Sequence, residues 1–219
     1  MFPQVAGKIR PKYPVIKAHL SSSDPAWLPT RYETQLDPPP GDYNLQVVLS
    51  DGEKFGRAEM SLTVEHYDGK RLALSSVALC KRLRDAAVAA EEAARANFAP
   101  QYVPLASKGI WYTPAGETHF EKGEPLFAYF EVYESLLAQR PATLVDVQLR
   151  ILDANTDKVM EDFTPVSAGP YERAGSSVIP IWRKIPFDQL PKGEYQLEVR
   201  ATDSAGESTA WRGVDFAVE

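Results

Sequence analysis

Cysteine is almost absent from this chain: Cys80 stands alone, so no internal disulfide can staple the fold. Histidine is nearly as scarce. His19, His66 and His119 lie far apart, and none has metal-ligand spacing. HExxH, CxxC, GxSxG and the glycine-rich phosphate loops are all missing, so the usual marks of metal, thiol, serine or nucleotide chemistry are absent. No apolar run approaches the roughly 18 residues that a membrane-spanning helix needs. At the N-terminus Lys8, Arg10, Lys12 and Lys17 interrupt any apolar core of an export signal. Positive charge is in the minority too. Lysine and arginine number 24 against 30 acidic residues, giving a net charge of -6. No basic run with interleaved aromatics offsets that, which argues against a nucleic-acid partner.

What remains is the composition of a globular protein, 44% hydrophobic and 25% charged over 219 residues, enough for one large domain or two ordinary ones. Eighteen prolines suit loops and strand edges better than long helices, because proline lacks a backbone donor and fixes φ. Cys80 ends the apolar run "LALSSVALC", so it reads as a small buried hydrophobe rather than a reactive thiol.

The main signal is a repeat. "GDYNLQVVLSD" from Gly41 and "GEYQLEVRATD" from Gly193 align without a gap. Tyr43, Leu45, Val47 and Leu49, like Tyr195, Leu197, Val199 and Ala201, recur at a spacing of two and so share one strand face. A glycine turn follows each, and alternation resumes at Met60, Leu62, Val64 and at Val214, Phe216, Val218. Each copy is therefore expected to be a β-hairpin. Proline and glycine precede both tyrosines, in "PPPGDY" and "LPKGEY". That resembles the corner of immunoglobulin and fibronectin type III sandwiches, where such a tyrosine bonds back to upstream backbone.

The expected fold is all-β, with two immunoglobulin/fibronectin III-like sandwiches joined by a short helical linker. Strands near 4–10, 13–20, 29–36, 42–50, 57–65 and 71–79 would form a first domain over 1–79, N-terminally incomplete. "CKRLRDAAVAAEEAARANF" lacks glycine and proline, so a connecting helix is expected within a linker over 80–104. Leu83, Ala87, Ala90 and Ala94 would form its shallow apolar stripe. Residues 105–219 would hold about seven strands of the second sandwich.

Little chemistry accompanies this architecture. "DANTDK" from Asp153 alternates like a calcium loop, but Lys158 stands where the turn glycine belongs and Thr164 where the bidentate glutamate belongs. An Asp/Asn-rich turn accounts for the same letters. Glu91, Glu92, Glu131 and Glu134 have no spacing that forecasts acid–base work. The expectation is no enzyme, no cofactor and no bound metal. In "LFAYFEVYE" both strand faces are apolar or aromatic, which fits a strand covered on both sides or a ledge for a ligand. Trp111, Tyr129, Tyr133 and Trp182 are the candidate surface for a protein or glycan partner.

The order of segments from about residue 36 onward also resembles the C-terminal, immunoglobulin-like region of large bacterial von Willebrand factor A-related domain proteins. It runs from "PPPGDY" through "LALSSVALCKR", "FAPQYVPLASKG" and "FEKGEPLFAYFEVYE" to "VIPIWRKIPFDQLPKGEYQLEVRATDSAG". The Asp-x-Ser-x-Ser metal loop of the A domain has no match, since "SSSDP" is in the wrong order. What the resemblance implies is a non-enzymatic interaction or spacer module. It would be periplasmic or extracellular, as the tail of a longer exported chain in which Met1 is internal. A carbohydrate-binding module using exposed aromatics is the alternative.

Overall fold

A computed structural model describes residues 38–50, 53–88, 91, 105–135 and 144–219, all within the unit Thr34–Glu219. It is an all-β structure. The strands expected within residues 1–37 lie outside the described residues, as does Trp27.

Both hairpins read from the repeat are present. In the first, β1 (Gly41–Ser50) pairs antiparallel with β2 (Phe55–Val64), setting Tyr43 opposite Leu62 and Leu45 opposite Met60. In the second, β13 (Gly193–Asp203) pairs with β14 (Arg212–Val218), setting Tyr195 opposite Phe216. The corner tyrosines behave alike. The Tyr43 hydroxyl donates to the Pro39 carbonyl at 2.6 Å, and that of Tyr195 to the Pro191 carbonyl at 2.8 Å. In each copy the bond pins the entering chain against the start of the strand.

The second hairpin belongs to a two-sheet sandwich. Its own sheet runs β10 (Val159–Asp162), β9 (Val145–Asp153), β13, β14, β7 (His119–Phe120), with β11 (Val166–Ser167) also on β9. The last pairing, β14 with β7, is parallel. The facing sheet runs β12 (Val178–Lys184), β8 (Phe127–Tyr133), β4 (Ala78–Asp85), β6 (Ile110–Pro114), β5 (Leu105–Ser107), with β3 (Ala73–Leu74) also on β8. Alternation fills the space between them: Ala128, Phe130 and Val132 from β8 and Ile179 and Ile181 from β12 meet Leu197 and Val199 from β13. Phe120, Phe187 and Phe216 pack edge-to-face at ring separations of 6.1 to 6.4 Å, the arrangement that aromatic quadrupoles favour. By contrast the first hairpin makes a sheet of its own, and Val47, Met60 and Phe55 stay exposed.

Two expectations need correction. The helix expected from Cys80 onward begins as strand, because Cys80–Asp85 completes β4, and among the described residues Ala86–Val88 and Glu91 are helical. Lysine, arginine and leucine are good helix formers, but here pairing to β6 as far as Asp85, in a strand anchored on β8 over Ala78–Cys80, overrides that weak preference. For the same reason no domain boundary falls at residue 79. β3 and β4 both pair with β8 in the sandwich that ends at Glu219, and β4 runs straight through residue 79.

Candidate functional site

All four candidate aromatics sit on the second sheet, and Tyr129, Tyr133 and Trp182 lie on the side facing away from the main core. Along β8 the alternation sends Phe127, Tyr129, Glu131 and Tyr133 to that side. On β12, Trp182 lies opposite Tyr129. A β-bulge at Lys81 in β4 then shifts the phase of the strand, so that Leu83 joins Cys80 on this side instead of facing the main core.

The sheet next curls over these side chains. Lys108 (φ 52°) and Gly109 (φ 75°) both adopt the left-handed region, giving the two-residue turn whose twist matches a tight hairpin between β5 and β6. That hairpin swings β5 back toward β12, at the opposite end of the strand order. The Ser107 hydroxyl donates to the Pro180 carbonyl at 2.5 Å, and the Tyr129 hydroxyl reaches the Ala106 carbonyl at 3.4 Å. The result is a second, smaller core of Cys80, Tyr112 and Tyr129, edged by Leu83, Phe127 and Trp182. Tyr112 lies 5.4 Å from Tyr129 and 6.0 Å from Trp182, ring to ring. β8 is thus covered on both sides, one of the two expectations its sequence raised.

The four candidates therefore separate. Tyr129 is buried, and Trp182 is its partly buried neighbour. Tyr133 sits farther along the same face, stacked on the exposed Tyr67 at 4.4 Å. Trp111 adjoins Tyr112 on β6 and so points to the other side, between Arg84 and Ala106 in register. Tyr112, one of the chain's aromatics but not one of the four candidates, bridges Tyr129 and Trp182. The alternation of Ile110 and Tyr112 was its only local signal.

Glu131 organises the open end of this face. The Tyr129 hydroxyl donates to one of its carboxylate oxygens at 2.8 Å and the Tyr133 hydroxyl to the other at 2.7 Å. Burial first, and the adjacent carboxylate second, raise both phenols above the usual tyrosine range. The Tyr112 phenol is raised as well, chiefly by burial. This is a fixed polar cluster in an aromatic setting, with Tyr129 and Tyr133 held neutral as donors to Glu131.

The outer edge of β12 carries a row of caps. Ser176 donates to the Val178 carbonyl at 2.9 Å, Ser107 to that of Pro180, and Tyr171 to that of Trp182 at 2.9 Å. Pro180 offers no N–H. Alternate positions of the edge are therefore closed to a pairing strand.

Elsewhere, charged groups pair locally. Lys81 bridges Glu117 (3.0 Å) and Glu124 (2.9 Å) beside the exposed His119. Partial burial opposes its charge, yet the two carboxylates raise the ammonium above its ordinary range. In the "DANTDK" turn one Asp153 oxygen accepts from the Asn155 and Thr156 amides and the Thr156 hydroxyl, and these bonds, the hydroxyl's first, lower its carboxyl. On the outer face of the sheet that holds β9 and β13, Arg150 pairs with Glu198 at 2.6 Å and Arg200 bonds Gln148 at 2.9 Å. Both guanidiniums lie over Trp211, at 4.1 and 4.6 Å. Among the described residues no group of three or more His, Cys, Asp or Glu is placed to hold a metal ion, and no helix is long and apolar enough to cross a membrane. No protein-family model matches the chain, and no curated protein sequence matches it.

Proposed function

We propose that this chain is a non-enzymatic interaction or spacer module built from immunoglobulin-like units, working outside the cytoplasm as the tail of a longer exported protein. One observation carries the modular part. The two copies of the glycine–acid–tyrosine hairpin share the same corner bond, from tyrosine hydroxyl to the proline carbonyl four residues upstream. A device repeated for architecture marks repeated modules, and tandem sandwiches act by presenting loops, edges and faces to partners. The sandwich ending at Glu219 is one module, and the hairpin Gly41–Val64 belongs to another. The exported setting rests on the resemblance to the tails of von Willebrand factor A-related proteins.

An immunoblot of fractionated source cells, using antibody raised to this chain, tests the reading. A band well above 24.3 kDa in the exported or envelope fraction is expected. A soluble cytoplasmic band at the chain's own mass would overturn it. Carbohydrate binding is the second reading, favoured by the partial exposure that Trp111 and Trp182 keep. Glycan-array binding lost in a folded Trp182→Ala variant would establish it instead.

A further inference from the structure

Where the caps on β12 stop, a cleft opens between the two sheets. Its apolar floor is Leu149, Phe163, Val166 and Ile185, and its rim carries Arg183 and Lys184. Arg183 continues the inward alternation of Ile179 and Ile181, so its side chain enters the gap between the sheets rather than leaving it. Neither cation has an acidic partner among the described residues, although the chain as a whole is acidic. Arg183 is half-buried at the mouth of an apolar cleft with no carboxylate of the described residues beside it, so its guanidinium is free to take a charge-assisted bond from a partner.

The size of the cleft narrows what completes it. Its volume is about 150 Å³. Sites for whole small molecules run to roughly 300–1,000 Å³, whereas about 150 Å³ takes one benzene-sized group. A single side chain fits and a sugar ring with its hydroxyls does not. The caps at Val178, Pro180 and Trp182 also prevent a partner from adding a full strand along this edge.

We infer that this cleft is the docking point for a partner polypeptide, which inserts one apolar side chain and sets a neighbouring Asp or Glu against Arg183 and Lys184. The inference rests on the protein-interaction reading above and names its partner's chemistry. Random peptides displayed on phage, panned on the intact chain and on Arg183→Gln and Lys184→Glu variants, provide the test. The second substitution is exposed and leaves the fold in place, so it serves if the first does not. Selected peptides should share an acidic residue next to a large apolar one. Their affinity should fall about tenfold or more in either variant, as loss of a charge-assisted bond requires. Peptides without an acidic residue, or retained equally by both variants, would sink the cleft while leaving an interaction module in place. Selection of no peptide overturns the inference, and if glycans bind instead the protein-interaction reading falls with it.

Discussion

The paired corner tyrosines permit a controlled experiment, because one lies in the core and its counterpart does not. Tyr195 is 2% exposed and its ring packs 5.6 Å from Phe216, so Tyr195→Phe keeps the packing and removes only the hydroxyl that bonds Pro191. A stranded buried acceptor would cost up to about 3 kcal/mol. Pro191 is exposed, however, so water can reach its carbonyl, and the expected loss is that of an ordinary net hydrogen bond, about 1 kcal/mol. In a chain of this size that lowers the melting temperature by roughly 2–4 °C. Tyr43→Phe removes the same bond from a hairpin that lies outside the sandwich core, so global unfolding should change by less than about 0.5 kcal/mol. Urea titrations followed by circular dichroism measure both, with the denaturant slope unchanged in each variant. Equal losses in the two variants, or no loss in Tyr195→Phe, would refute the assignment of the second hairpin to the core and the first to a separate sheet.

Other outcomes follow from the same geometry. Cys80 is fully buried, so a thiol reagent should label it only as the protein unfolds, and prompt labelling in native buffer would contradict the second core. Phe130→Ala, between the two sheets, should cost about 3–5 kcal/mol in chemical denaturation, and a loss under 1 kcal/mol would show that the sheets do not close there. Gly109 has a φ of 75° with open space around it, so Gly109→Ala introduces strain without a clash and should cost about 1–2 kcal/mol. The raised phenols of Tyr112, Tyr129 and Tyr133 give stability that is complete below the ordinary tyrosine value of about 10 and is lost as pH climbs from there toward their higher folded values. The tyrosinate absorbance of these three should therefore appear only together with unfolding above about pH 10, and their ionisation in a chain that stays folded by circular dichroism would refute it.

Local patterns made the hairpins legible. The spacing of two in Tyr195, Leu197, Val199 and Ala201 places those residues in the core, and the proline–glycine lead-in announces the corner bond that both tyrosines make. The double-sided character of β8 was equally readable from Phe127 to Tyr133. The rest depends on contacts that no local window contains. Cys80–Asp85 has helix-forming residues and becomes strand because β6 pairs along it and β8 holds the strand that leads into it. Nothing in "LASKGIWY" says that β5 will return to β12, yet that return decides whether Tyr129 and Trp182 meet solvent or each other. The cleft at Arg183 is likewise a product of two sheet edges far apart in the chain.

A chain that carries nearly the same hairpin twice must also avoid folding with the wrong one. Tyr43, Leu45 and Val47 of β1 repeat the inward Tyr195, Leu197 and Val199 of β13, so at those positions the core alone would accept either, although Leu49 would overfill the place of the fully buried Ala201. The outward residues distinguish them. At the positions of Glu198 and Arg200 the first copy has Gln46 and Val48. A β1 strand seated beside β9 would leave Arg150 without its carboxylate, Gln148 without its guanidinium partner and Trp211 stacked on one cation instead of two. The solvent-facing ladder thus serves as a proofreading mark, holding each repeat to its own partner while the chain folds.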